Sequence, residues 1–133
     1  MLREPVRFPE WWGEVYLDVT VLDRGDANGV GSRIAIHSRG WLPYRLQWEA
    51  RIVRADFPRS WEVEATGDLT GRGVWTLFAD GGHTIASYDW RVRADRPLFR
   101  VLAAGFAPLM ASNHLWAMRK GETGLRRELA KRE

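Results

Sequence analysis

The sequence predicts an α+β domain: a curved antiparallel β-sheet of six strands gripping one long, kinked C-terminal helix. Three observations carry this expectation. Six runs between residues 15 and 93 alternate apolar and polar side chains with a period of two, as half-buried strands do. The joints between them are short and rich in Gly, Asp, Asn and Pro, which favours hairpins between neighbours in sequence. From Pro97 onward the apolar spacing changes to three and four, the repeat of a helix face.

The segment FPEWW (8–12) precedes the first strand. Adjacent indoles each bury about 150–250 Å² when packed, so this segment reads as the end of a folded element. VYLDVTVLD (15–23) then sets Val15, Leu17, Val19 and Val21 against Tyr16, Asp18 and Thr20. RGDANGVG (24–31) is a turn, SRIAIHS (32–38) the second strand, and RGWLP (39–43) the next turn. In YRLQWEARIVRAD (44–56), Tyr44, Leu46, Trp48, Ala50 and Ile52 share one face, and Arg45, Gln47, Glu49 and Arg51 the other. FPRS breaks that strand, and WEVEATGDL (61–69) repeats the alternation with Trp61, Val63 and Ala65 inside.

TGRGVWTLFADGG (70–82) holds the fifth strand, and HTIASYDWRVR (83–93) the sixth, with Ala86, Tyr88, Trp90 and Val92 on one parity. The glycines of GDLTGRG (67–73) read as a turn with a bulge, not as a phosphate loop. In the helix, Leu98, Val101, Leu102, Gly105 and Leu109 recur at helical spacing. Gly105 and Pro108 are expected to kink it, because proline cannot donate to the carbonyl of Ala104. SNHLWAM (112–118) resumes the helix, Gly121 and Gly124 loosen it, and LRRELAKRE ends it.

A length of 133 residues with 45% apolar content fits one domain, residues 1–133, with a core of its own. No apolar run approaches the roughly 18–20 residues that span a bilayer, and no signal pattern opens the chain. The expectation is a soluble, cytoplasmic protein without an integral membrane segment. The chain has no cysteine, and His37, His83 and His114 lie far apart, so no metal and no cofactor are expected. Residues 1–118 carry 14 Arg and 14 acidic groups; residues 119–133, with 6 basic and 3 acidic groups, hold the whole net charge of +3. That excess is a helix end complementing its own dipole, so nucleic acid is not an expected partner. GxSxG, GxxxxGK[ST] and HExxH are all missing from the sequence.

One helix cannot fill the concavity of six strands, so bulky side chains or a cavity must occupy the remainder. FPEWW, RGWLPYRLQWEARI (39–52), ATGDLTGRGVW (65–75), YDWRV (88–92), RPLFRVLA (96–103) and NHLWAMRKGETGL (113–125) together resemble the SRPBCC or START-related helix-grip superfamily, in particular its polyketide cyclase/dehydrase branch. The resemblance covers nearly the whole chain. It implies a curved seven-stranded sheet gripping a long C-terminal helix, with a hydrophobic tunnel between them for lipids, sterols, hormones or polyketides. It also implies that FPEWW ends a short helix near Asn113 to Trp116, closing the mouth of the grip. A first strand normally precedes that helix, and here only seven residues stand before FPEWW, so the chain reads as N-terminally short relative to the family. Either the chain starts late or a second copy covers the exposed edge of the last strand as a homodimer.

Tyr44, Trp48, Trp61, Tyr88 and Trp90 are the candidate walls of a ligand pocket, with plugging of the core as the alternative. Asn113 and His114 are the polar candidates on the helix, where Trp116 shares the side of Asn113. A contact that merely ties the helix to FPEWW is their alternative role. Asp68, Asp89, His37 and His83 read as solvent-facing or structural, and Arg33, Arg72 and Arg91 as surface residues. The expected function is binding of a small hydrophobic ligand, a lipid, polyketide or aromatic compound, between sheet and helix. A cyclase or dehydrase using Tyr44, Tyr88 or His114 to polarise a ketone and move a proton is the alternative. A packed domain acting through protein contacts is the third reading.

Overall fold

The computed structural model describes residues 1–133 other than 43, 96 and 133; the side chains of residues 97–104, 106 and 107 also lie outside the described set. A single 3₁₀ turn, Pro5–Arg7, leads into helix α1, Phe8–Trp12. Six strands follow: β1 Tyr16–Asp23, β2 Arg33–Arg39, β3 Arg45–Asp56, β4 Ser60–Gly67, β5 Leu69–Asp80 and β6 His83–Ala94. Helix α2, Pro97–Ala130, completes the chain. The strands form one antiparallel sheet in the order β1-β2-β3-β4-β5-β6, so the α+β class and the meander follow the alternation in the sequence. Short turns permit little else, since consecutive antiparallel strands pair with their neighbours.

By its internal contacts the chain divides into two compact units. The first comprises Met1–Thr20, Ile36–Gln47 and Arg96–Glu133, and the second Val21–Ala35 and Trp48–Asp95. Among the described residues no helix is long and apolar enough to cross a membrane. No cluster of three or more His, Cys, Asp or Glu side chains placed to hold a metal occurs among them either.

Two local expectations, for Tyr16 and for GDLTGRG, are corrected. Tyr16, assigned to the polar face of β1, is buried, because the rings of Phe8 and Trp12 cover it at 5.2 and 4.8 Å. That burial pushes the Tyr16 phenol well above its ordinary value. GDLTGRG is not one turn: β4 ends at Gly67, and Gly71 and Gly73 lie inside β5, paired with Ala65 and Val63 of β4. A register shift falls in β3 instead, between Ile52 and Arg54, where the pairing with β4 slips by one residue. Helix α2 runs unbroken through Pro108, so the missing donor that is expected to kink the helix does not end it. The apolar stripe from Leu98 to Leu102 lies outside the described side chains.

Candidate ligand-binding site

In the second unit, the register at the Trp48 and Trp90 end of one face places large rings on β3 and β6 and small residues on β4 and β5 between them. Trp48 pairs with Gly67, Ala50 with Ala65, Ala65 with Gly71, and Gly73 with Trp90. β3 and β6 are three strand spacings apart, about 14 Å in a flat sheet. The rings of Trp48 and Trp90 nevertheless meet at 5.5 Å, so this face bends inward from β3 to β6. Small middle residues permit the bend. A β-carbon on Gly73 would strike the Trp90 ring and come within 2.9 Å of the Tyr88 ring, so both rings cover that glycine.

The result is a continuous chain of six rings. Phe57 meets Trp61 at 5.1 Å, Trp61 stacks on Trp75 at 5.8 Å, and Trp75 stacks on Tyr88 at 4.0 Å with only 8° between planes. Tyr88 stacks on Trp90 at 5.4 Å, and Trp90 closes on Trp48. Trp48, Trp61 and Trp75 are buried, whereas Tyr88 and Trp90, on the last strand, are half-buried. Phe57, at the other end of the chain, is half-buried as well.

Charge is confined to the other face. Arg72 pairs with Glu62 at 3.1 Å, Arg91 with Asp89 at 3.0 Å, and Arg33 with Glu49 at 3.7 Å, all on the parity opposite the rings. Along β3 to β6 the ring-bearing parity, from Trp48 to Val92, carries one titratable group, the phenol of Tyr88.

The first unit contains the remaining candidates. Oδ1 of Asn113 accepts from the backbone N–H groups of Trp41 and Leu42 at 2.8 and 3.3 Å, and its Nδ2 donates to the Tyr44 hydroxyl at 3.2 Å. The main chain at Gly40 approaches so closely that a β-carbon there would strike the Asn113 amide. Asn113 therefore clamps the loop before β3 to α2. Partial burial raises the Tyr44 phenol above its ordinary value, and partial desolvation lowers the imidazole of His114, which is otherwise exposed. Trp116 is half-buried, with the Lys120 ammonium 5.7 Å over its ring.

FPEWW packs further along the helix than Asn113 to Trp116. Nε1–H of Trp12 donates to the carbonyl of Ala117 at 2.9 Å. A β-carbon on Gly121 would strike the Trp12 ring, and one on Gly124 the Trp11 carbonyl, so these glycines form the seat of the tryptophan pair. The two indoles stack at 5.5 Å, and Phe8 sits edge-on to Trp11 at 5.1 Å. The expectation that Asn113 ties the helix to FPEWW gives way to this division of labour: Asn113 holds the 41–44 segment, and Ala117, Gly121 and Gly124 hold FPEWW.

Of the predicted site residues, the structure brings Trp48, Trp61, Tyr88 and Trp90 into one ring chain, and Tyr44 and Asn113 into one hydrogen-bonded pair. His114 and Trp116 stand on α2 beside Asn113 in sequence. Sequence reasoning missed Trp75, the central ring, and Phe57. The signal for Trp75 was present, since Gly71, Gly73, Trp75 and Leu77 alternate with Arg72, Val74 and Thr76.

No protein-family profile matches the chain, and no curated protein does. Among solved structures, the chain is similar in fold to protein Ms6760 from Mycobacterium smegmatis, with a TM-score of 0.63 and 18% identity over 98% of this chain and 80% of that one.

Proposed function

We propose that the chain is a helix-grip domain that binds a small, uncharged, flat hydrophobic compound, aromatic or polyketide-like, against Tyr88 and Trp90. The observation that carries this reading is the six-ring chain on a face whose only titratable group is a phenol. Stacked aromatic faces add about 0.5–1.5 kcal/mol per ring pair beyond area burial, a gain open to flat ligands and not to a saturated acyl chain. An ionised ligand would be desolvated there with no opposite charge to receive it.

Binding is favoured over cyclase or dehydrase chemistry for a related reason. Proton transfer needs an acid and a base within reach of one substrate atom, and this face supplies Tyr88 alone. Thermal unfolding tests the proposal with two probes, anthraquinone as a neutral flat aromatic and palmitate as a chain lipid. Anthraquinone should raise Tm of the protein, and Trp90→Leu should remove that rise. A rise with palmitate alone, or an anthraquinone shift that survives Trp90→Leu, would overturn the assignment.

A further inference from the structure

We propose that β6 is a self-association edge, pairing antiparallel with β6 of a second copy about a two-fold axis at Trp90. In the sheet order β6 is terminal, hydrogen-bonded to β5 and to no other described strand. It is long and regular. All twelve of its residues, His83–Ala94, pair with β5 from Leu69↔Ala94 to Asp80↔His83 without a register shift. β6 contains no Pro, no Lys and no bulge, and the charges it carries, Asp89, Arg91 and Arg93, are of both signs.

Burial also falls away at this strand. On β5, Gly73 and Trp75 are buried, while their β6 partners Trp90 and Tyr88 are half-buried and no residue of β6 is buried. The apolar face thus loses its cover where a neighbouring strand would supply it.

Charge selects both the occupant and the register. Asp89 and Arg91 flank Trp90 on the outer parity and are exposed, with side-chain accessibilities of 56% and 83%. In an antiparallel pair centred on Trp90, Asp89 lies opposite the partner's Arg91, and Arg91 opposite the partner's Asp89. Moving the axis by one residue sets Asp89 against the partner's Asp89, or Arg91 against the partner's Arg91. Self-pairing about Trp90 avoids both clashes and joins opposite charges twice, which is the isologous pattern of a two-fold dimer. It also brings Trp90 beside the partner's Trp90, so each copy extends the other's ring chain. This inference does not depend on the ligand reading.

Light scattering of the 133-residue protein during size exclusion tests it, together with a charge swap. The wild type should run at about twice the 15.3 kDa of one chain. Asp89→Arg and Arg91→Asp should each weaken the dimer by roughly tenfold or more, and the double variant should restore it, because only the double variant rebuilds both pairs. Both side chains are exposed, and circular dichroism checks that each variant is folded. A wild type that stays at one chain's mass at every concentration would overturn the proposal. So would a dimer indifferent to the single variants, or one that the double variant fails to restore.

Discussion

Gly73→Ala perturbs the ring chain at one atom. Gly73 lies on β5 opposite Trp90, and an added β-carbon would strike that ring and stand 2.8 Å from its Cζ3 and 2.9 Å from Cε2 of Tyr88. The glycine's backbone is not in the left-handed region, so the substitution tests packing and not strain. Overpacking of this kind costs about 1–3 kcal/mol. Lifting Trp90 also weakens its contacts with Tyr88 and Trp48, each about 0.5–1.5 kcal/mol. Alanine returns about 0.5–1 kcal/mol through its smaller entropy cost in a strand. The net expectation is a loss of about 2 kcal/mol, read as a fall in the urea midpoint at unchanged m. In a Trp90→Leu background the same substitution should cost at least about 1 kcal/mol less, because the obstructing ring is gone. Equal costs in both backgrounds would refute the argument that the rings are what Gly73 accommodates.

Three further outcomes are expected. Asn113→Ala should cost about 1–3 kcal/mol and speed hydrogen exchange at the Trp41 and Leu42 amides, which lose their acceptor; unchanged exchange there would contradict the clamp. Trp12→Phe should be more destabilising than Trp11→Phe by about 1 kcal/mol, since Trp12 loses its bond to Ala117 whereas the buried Nε1–H of Trp11 has no acceptor among the described residues. Chemical denaturation of the two variants decides the order, and the reverse order would count against it. The depressed imidazole of His114 binds its proton more readily unfolded than folded, so its contribution is present above about pH 6.5, the ordinary value, and is lost as pH falls through the lower folded value. The stability difference between wild type and His114→Gln should therefore shift against the wild type on acidification, and a difference independent of pH would contradict the partial desolvation of the His114 imidazole.

Period-two alternation was the most legible feature, and it placed all six strands and the shared parity of Trp48, Trp61, Tyr88 and Trp90. Their contact with one another was not legible. It depends on Gly67, Gly71 and Gly73 falling in register beside them, and glycines between strands look the same as glycines of a turn until pairing is known. Tyr16 was misplaced because alternation sees one neighbouring layer, and α1 covers the other face of β1 locally. The role of Asn113 was hidden for a different reason. An amide on a helix advertises hydrogen bonding, but its partners at 41, 42 and 44 are some seventy residues away in sequence.

The proposed binding of a flat, neutral ligand to the ring chain of β3 to β6 is reported directly by the indole N–H signals of the protein's 8 tryptophans. Titration of the nitrogen-15-labelled protein with anthraquinone should shift the signals of Trp90 and Trp48 first, with those of Trp11 and Trp12 unmoved. Shifts confined to Trp11 and Trp12, or no shift at any indole, would contradict it.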